Sequence, residues 1–289
     1  MTEFMQTALS VLCDAFIDTV KLIPFLYLAF YLMEYFEHKA GQKLTDFLQK
    51  AGHSTIAGVL GGAAAGCIPQ CGFSAAASNL YAGEMITAGT LFSVFISTSD
   101  EAVPVMISHP ESAGQIWQLL AAKVIIAVTA GFAVDGVLKL TKIKRREEPF
   151  AEFCTECGCG EHGIWYSALV HTGGTALYIL ALNIVLGGII AAVGEETVME
   201  FLGGLGHIQP VIAAAVGMIP NCAASVIITE LYIKGAITYG SAVAGLATGA
   251  GVGLAVLYSS NKNVKENLCI TGVLYIIGAL SGAAIDLIY

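Results

Sequence analysis

The sequence predicts an all-α polytopic membrane protein made of two inverted-topology repeats, each with about three full spans plus a broken or re-entrant helical hairpin. Three observations carry this. Of the 289 residues, 56% are hydrophobic and 12% charged, with a mean hydropathy of +0.75, too apolar for a soluble domain of this size. The chain also contains itself twice, shifted by 151 residues: Gly66-Cys67-Ile68-Pro69-Gln70-Cys71 aligns with Gly217-Met218-Ile219-Pro220-Asn221-Cys222. The register then holds without a gap, with Leu80-Tyr81 on Leu231-Tyr232, Ile86-Thr87 on Ile237-Thr238, Gly89 on Gly240, Gly131 on Gly282 and Asp135 on Asp286. Finally, equivalent loops carry opposite charge. The loop from about 37 to 53 holds Lys39, Lys43 and Lys50, whereas its counterpart holds Glu195, Glu196 and Glu200.

The N-terminal apolar run, 16 to 36, is preceded by Glu3 and no Lys or Arg, so it is expected to be a first span rather than a secretory signal. Residues 54 to 83 as one helix would be about 45 Å long, too long for a single span without strong tilt. Pro69, with Gly66 and Gly72, divides this segment into two pieces of re-entrant length. It is therefore read as a hairpin with Ile68 to Cys71 at its tip, and 205 to 234 as its counterpart from the opposite face. The runs 84 to 107, 116 to 138, 164 to 193 and 268 to 289 are each long enough to span.

Between the halves, 139 to 162 is strongly polar and carries Lys139, Lys142, Lys144, Arg145 and Arg146, which the positive-inside rule places in the cytoplasm. The expected organisation is a first transmembrane repeat at 1–138, a cytoplasmic Cys-rich linker at 139–162 and a second repeat at 163–289. His109 to Gln115 lacks Lys and Arg while its counterpart, Asn261 to Asn267, has Lys262 and Lys265. Opposed sidedness requires an odd number of crossings per half, and hence an axis in the membrane plane.

Non-helical backbone at membrane depth is tolerated only where protein or water satisfies it, so two facing tips imply a cavity. Its expected substrate-binding walls are Pro69, Gln70, Cys71 and Ser74 from one tip and Pro220, Asn221, Cys222 and Ser225 from the other. Amides and hydroxyls supply oxygen and nitrogen groups, and thiols are soft ligands. Cys as a small hydrophobe and Ser at a close helix contact is the competing account. Asp100 and Glu101, inside the run Ser97 to Pro104, are expensive at bilayer depth unless they bind a cation or exchange protons. Gly251 and Val252 stand opposite them, so the acidic pair belongs to one half, as a coupling site would; a headgroup-level helix cap is the alternative. His171 is a third coupling candidate, with a packed, hydrogen-bonded His as the alternative. Asp135 and Asp286 are expected at equivalent, interfacial helix ends.

In the linker, Cys154, Cys157, Cys159 and His162 read C-x2-C-x-C-x2-H, three thiolates and an imidazole that suffice for tetrahedral zinc or a softer ion. A flexible Cys-rich linker is the other reading. The eight Cys do not form a secreted disulfide framework, so reduced thiols are expected. The net charge of -9 is dispersed and offers no basic groove for nucleic acid.

Pro69-Gln70-Cys71-Gly72-Phe73-Ser74, Leu80-Tyr81, Gly89-Thr90-Leu91, Ser99-Asp100-Glu101-Ala102-Val103-Pro104, the Cys-rich linker and His171-Thr172 together resemble a bacterial and archaeal family of ten-segment heavy-metal exporters. Members are labelled manganese transporters and arsenic efflux proteins and are related to ArsP-type permeases. The resemblance covers nearly the whole chain. It implies a multi-pass inner-membrane secondary transporter that exports a heavy-metal or metalloid species, manganese or an arsenical, by alternating access. Proton coupling through Asp100 or Glu101 is expected, with no cofactor required beyond zinc or another soft ion at the linker. The expected partners are the lipid bilayer, the metal ion or small-molecule substrate and protons, with a homo-oligomer allowed.

The residues themselves leave the substrate open. Carboxylates with amide oxygens suit manganese, paired thiols suit a trivalent arsenical, and half-helix N-termini after Pro69 and Pro220 suit an anionic or small organic solute. An ATP-driven pump would need a separate subunit, because no Walker motif occurs. No H-E-x-x-H or G-x-S-x-G pattern supports a membrane hydrolase.

Overall fold

The computed structural model describes scattered positions between 9 and 31, then residues 55–68, 71–99, 102–109, 113–141, 164–193, 197, 204, 206–220 and 222–288. Among these the regular structure is helical and no strand occurs. In chain order the helices are α1 Thr55–Gly66, α2 Cys71–Ala82, α3 Ala88–Ser97, α4 Ala102–Ser108, α5 Ala113–Leu140, α6 Ile164–Val193, α7 Gln209–Gly217, α8 Cys222–Ile233, α9 Tyr239–Thr248, α10 Val252–Ser260 and α11 Val264–Ile288. The pairs α1/α7, α2/α8, α3/α9, α4/α10 and α5/α11 follow the 151-residue shift. In α2/α8 and α3/α9 both helix limits coincide under it.

Local chemistry repeats as well. Thr87 caps α3 by accepting from the Thr90 N–H at 3.1 Å, and Thr238 caps α9 by accepting from the Ser241 N–H at 3.1 Å. A carboxylate near the end of the long helix then ties each cap down. Asp135 accepts from Gly89 N at 2.7 Å and Thr87 Oγ1 at 2.8 Å, and Asp286 accepts from Gly240 N at 2.8 Å and Thr238 Oγ1 at 2.6 Å. The backbones cross closely there, because a Cβ on Gly89 would run into the Gly131 carbonyl, and one on Gly240 into the Gly282 carbonyl.

Asp135 lies five residues before the end of α5 at Leu140, and its side chain is 4% exposed. Asp286 makes the same bonds while half-buried. The loss on Asp135→Ala is expected to be about 3 kcal/mol, against about 1 kcal/mol for Asp286→Ala, since a buried donor left unsatisfied carries its full desolvation cost and an exposed one finds water. Denaturant unfolding in detergent checks this, and equal losses would refute it.

The start of α1 and the start of α3 both lie beside the end of α5. Lys139, at the end of α5, donates to Thr55 Oγ1 at 2.8 Å, beside the end that also holds Thr87 and Asp135. In the second half one side chain closes the path: Gln209, the first residue of α7, donates to the Ala236 carbonyl at 3.1 Å and accepts from the Thr238 N–H at 2.9 Å and Ser241 Oγ at 3.1 Å. A 12-residue helix is about 18 Å long, short of the roughly 30 Å hydrocarbon core. The breaks fall where Pro69 and Pro220 stand, after Gly66 and Gly217.

The halves interlock rather than sit side by side. Helix α3 packs against α1 and α5, and α9 against α7 and α11, but α2 packs on α10 and α8 on α4. Reciprocal contacts mark the exchange. Ser260 donates to Asn79 at 2.6 Å, and the repeat counterparts of that pair, His109 and Glu230, face each other at 4.0 Å. A third layer adds Phe30 from the N-terminal stretch and Ala168 and Ile179 from α6, packed with Ala75, Val252 and Val256.

Four stretches are long and apolar enough to cross a membrane: α3 with α4, α5, α9 with α10, and α11. The stretch formed by α9 and α10 is 94% buried inside the protein, whereas α5 and α11 are each only 28% buried. Their outward faces carry Trp117, Ile125, Val137, Leu268, Ile276 and Leu280, the surface that lipid rather than water accommodates. The protein is an all-helical, membrane-embedded chain whose discontinuous helices are innermost.

Candidate functional site

Two interruptions at the centre define the candidate site. Helix α3 ends at Ser97 and α4 starts at Ala102, and the path between α9 and α10 is broken at Gly249 to Gly251. In the first, Pro104 falls in the opening turn of α4, where a missing N–H leaves no bond unmade. In the second, Gly251 has φ 52°, a left-handed conformation that Gly adopts without a Cβ penalty. Gly251 is the counterpart of Asp100 under the 151-residue shift.

The breaks lie close together. Phe95 and Ile96 at the end of α3 share a core with Ala247 and Ala250 at the end of α9, and a Cβ on Gly253 in α10 would sit 3.0 Å from Phe95 Cε1. The ends of α1 and α7 approach the same region, because Gly66 abuts Ser97 and Gly217 abuts Thr248, the last residues of α3 and α9.

Of the sequence-derived wall residues, Ser225 is half-buried and its Oγ lies 3.4 Å from where a Cβ on Gly249 would be, beside the second break. Ser74 is fully buried against Gly253, with Ser78 Oγ bridging the carbonyls of Ser74 at 2.9 Å and Gly253 at 2.7 Å. That is a close helix contact of the kind small residues permit. Pro220 is half-buried at the second tip. Pro69, Gln70, Asn221, Asp100 and Glu101 lie outside the described residues, as do Cys154, Cys157, Cys159 and His162 of the linker and the side chains of Cys71, Cys222 and His171. Cys13, Cys67 and Cys269 are free thiols. Among the described residues no group of three or more His, Cys, Asp or Glu comes together.

One residue of the site was not anticipated. Lys123, on α5, is 1% exposed, and its ammonium donates to the Thr98 carbonyl at the first break. A signal was present, since Lys123 is the only charged residue from 113 to 134, and an ionisable group inside a span is a functional candidate by default. Its repeat counterpart is Leu274, fully buried in the apolar core.

Hydroxyls crowd this break. Ser97 Oγ donates to the Ser93 carbonyl at 2.7 Å, Thr98 Oγ1 to Val94 at 2.7 Å and Ser99 Oγ to Ser97 at 3.2 Å. Each hydroxyl spends its proton on the chain and keeps lone pairs. The arrangement can therefore present oxygen acceptors to a cation at the negative end of α3.

Compared with protein-family profiles, curated proteins and solved structures, the chain matches none.

Proposed function

We propose that this chain is a secondary transporter of the inner membrane that exports a heavy-metal or metalloid species by alternating access between two inverted repeats. The observation that carries the reading is the pair of interrupted helices buried at the centre, in repeat-equivalent positions and approached by two hairpins, the way transporters build a midplane site.

Helix direction supports the inversion. Tyr81, at the end of α2, donates to Glu266 at the start of α11, close to Thr87 and the finish of α5. At the other end Tyr239, which opens α9, donates to the Gln118 carbonyl early in α5 at 2.9 Å, close to Thr238 and the finish of α11. Helices α5 and α11 therefore run oppositely, which is what a two-fold axis across the span direction produces. Lys139, Lys262 and Lys265 fall at one end of the bundle, so that end is read as cytoplasmic, with the Cys-rich linker on that side holding an ion for delivery or regulation.

Manganese or an arsenical is the proposed cargo, with Asp100, Glu101 and His171 as coupling groups. A carrier of an anionic solute is the second reading, favoured by the buried ammonium of Lys123. In a cysteine-depleted background, Glu195→Cys is expected to react with an impermeant maleimide from outside whole cells, and Lys43→Cys only after the membrane is opened. Labelling of both from one side would overturn the repeat arrangement. Counterflow of manganese, arsenite and an anion in proteoliposomes tests the activity, and absence of counterflow for all three would sink the transporter reading.

A further inference from the structure

Two contacts join the halves at opposite ends of the bundle, and the 151-residue shift carries one onto the other. At the end that holds Lys139 and Lys262, Ser260 of α10 donates to Asn79 of α2 at 2.6 Å. At the far end their counterparts, His109 just past α4 and Glu230 of α8, stand 4.0 Å apart, at the outer limit of an ion pair. An inverted repeat whose two ends shared one state would place equivalent residues alike. Here they differ.

One tyrosine pair shows the difference with no change of residue. Tyr81 is 3% exposed, and its hydroxyl crosses from α2 to Glu266 of α11, at the end where Asn79 is also buried. Its counterpart Tyr232 is half-buried and stacks within its own half, on Tyr239 at a centroid separation of 5.9 Å. Gln115, which the shift sets where Glu266 stands and which can accept the same bond, is exposed at the start of α5. Around the sealed end Asn267 donates to the Asn261 carbonyl at 2.9 Å, and Tyr258 meets Thr271 at 3.1 Å, so α10 and α11 are tied to each other as well as to α2. At the far end Glu230 pairs with Lys234, one turn along the chain at 3.2 Å, and stays part-exposed.

We propose that Asn79 with Ser260, and His109 with Glu230, are paired gates at the two mouths of the path between the halves, the first shut and the second slack in this structure. This deepens the transporter reading and rests on it. In the opposite state the halves rock about the central breaks: His109 and Glu230 come into direct contact, Tyr232 leaves Tyr239 for Gln115, and the Ser260 and Tyr81 bonds part. Packed interfaces have discrete arrangements rather than a continuum, so closing one gate opens the other. With the lysine-bearing end read as cytoplasmic, the structure is the state that faces outward, where an exporter releases its cargo.

Hydrogen–deuterium exchange of the purified full chain, read by peptide mass spectrometry, tests the coupling. Ser260→Ala removes one bond from the sealed end and changes nothing at the other. Exchange is expected to rise about threefold or more in the peptide from Asn79 to Glu84 and to fall by a similar factor in α4 and in Glu230 to Lys234, because losing a hydrogen bond shifts a two-state population toward the other state. A merely local contact would loosen the first peptide alone. Unchanged or faster exchange at α4 and at Glu230 to Lys234 therefore overturns the proposal. If Ser260→Ala does not fold, the reverse lock decides: His109→Cys with Glu230→Cys, joined by a short thiol cross-linker in the cysteine-depleted background, should raise exchange at Asn79 to Glu84, and an unchanged rate there overturns it. Counterflow of manganese, arsenite and an anion separates the two levels. Reciprocal exchange with no flux of any of them sinks the transporter reading and leaves a two-state hinge, whereas flux that persists at the wild-type rate in the cross-linked protein sinks the gates and leaves the transporter.

Discussion

Gly217→Leu is expected to leave no folded protein, whereas Gly173→Leu melts within a degree or two of wild type. Gly217 ends α7 at the point where it crosses α9. A Cβ there would collide with the Gly245 carbonyl oxygen and lie 2.6 Å from Thr248 Oγ1 and 2.7 Å from the Gly245 carbonyl carbon. Two of those three atoms are backbone, inside a helix buried on all sides, so no side-chain rotation relieves the clash. Overpacking by a single methyl typically costs about 1–3 kcal/mol, and Gly217→Ala should reach the upper part of that range. Leucine adds three more carbons to a contact that already has no room, and the total exceeds the roughly 5–15 kcal/mol that holds a domain together. At Gly173, on the exposed side of α6, nothing lies within 4 Å of the added carbon. Yield and melting temperature in detergent measure both variants. Equal stability of the two would show that the α7–α9 crossing is looser than described.

Such crossings explain how much of the fold could be read from residues alone. The shift of 151 was legible because a membrane constrains both halves alike: Gly66 and Gly217 each allow a backbone approach, Pro69 and Pro220 each end a helix, and Thr87 and Thr238 each cap one. The helix ends at Gly66 and Gly217 followed from proline and glycine chemistry, and hydropathy picked out three of the four crossing stretches but not Tyr239–Ser260. Two things were not legible. The exchange that packs α2 on α10 and α8 on α4 depends on three-dimensional interdigitation, and every helix involved is apolar on several faces, so periodicity selects no partner. The break at Gly249 to Gly251 was also missed, because glycine in a membrane helix is common at close contacts and gives no sign, in sequence, of whether it permits packing or a reversal of φ. At the candidate site, the buried Lys123 touches the Thr98 carbonyl, and its mark in the sequence is a single charge within an apolar run.

Asp100→Asn is expected to weaken Mn2+ binding by about 100-fold or more, while Cys71→Ala and Cys222→Ala each change it by less than about threefold, because oxygen donors and their charge set the affinity of a hard or borderline divalent ion and neutral thiols add little. Asp100 follows Thr98 by two residues in the sequence, and the Thr98 carbonyl accepts from the Lys123 ammonium. A divalent ion in a buried site needs negative charge to offset its own. Asp100 and Glu101 are the acidic groups the chain places beside the break. Their repeat counterparts, Gly251 and Val252, cannot substitute. A thiophilic cargo such as arsenite would reverse the order, with both Cys variants losing binding and Asp100→Asn retaining it while the pH dependence of flux disappears. Measuring affinity for Mn2+ and for arsenite on these three variants, each checked for wild-type melting, separates the two chemistries. If all three bind and transport both solutes like wild type, the breaks in α3–α4 and α9–α10 are structural kinks, and the path runs elsewhere in the bundle.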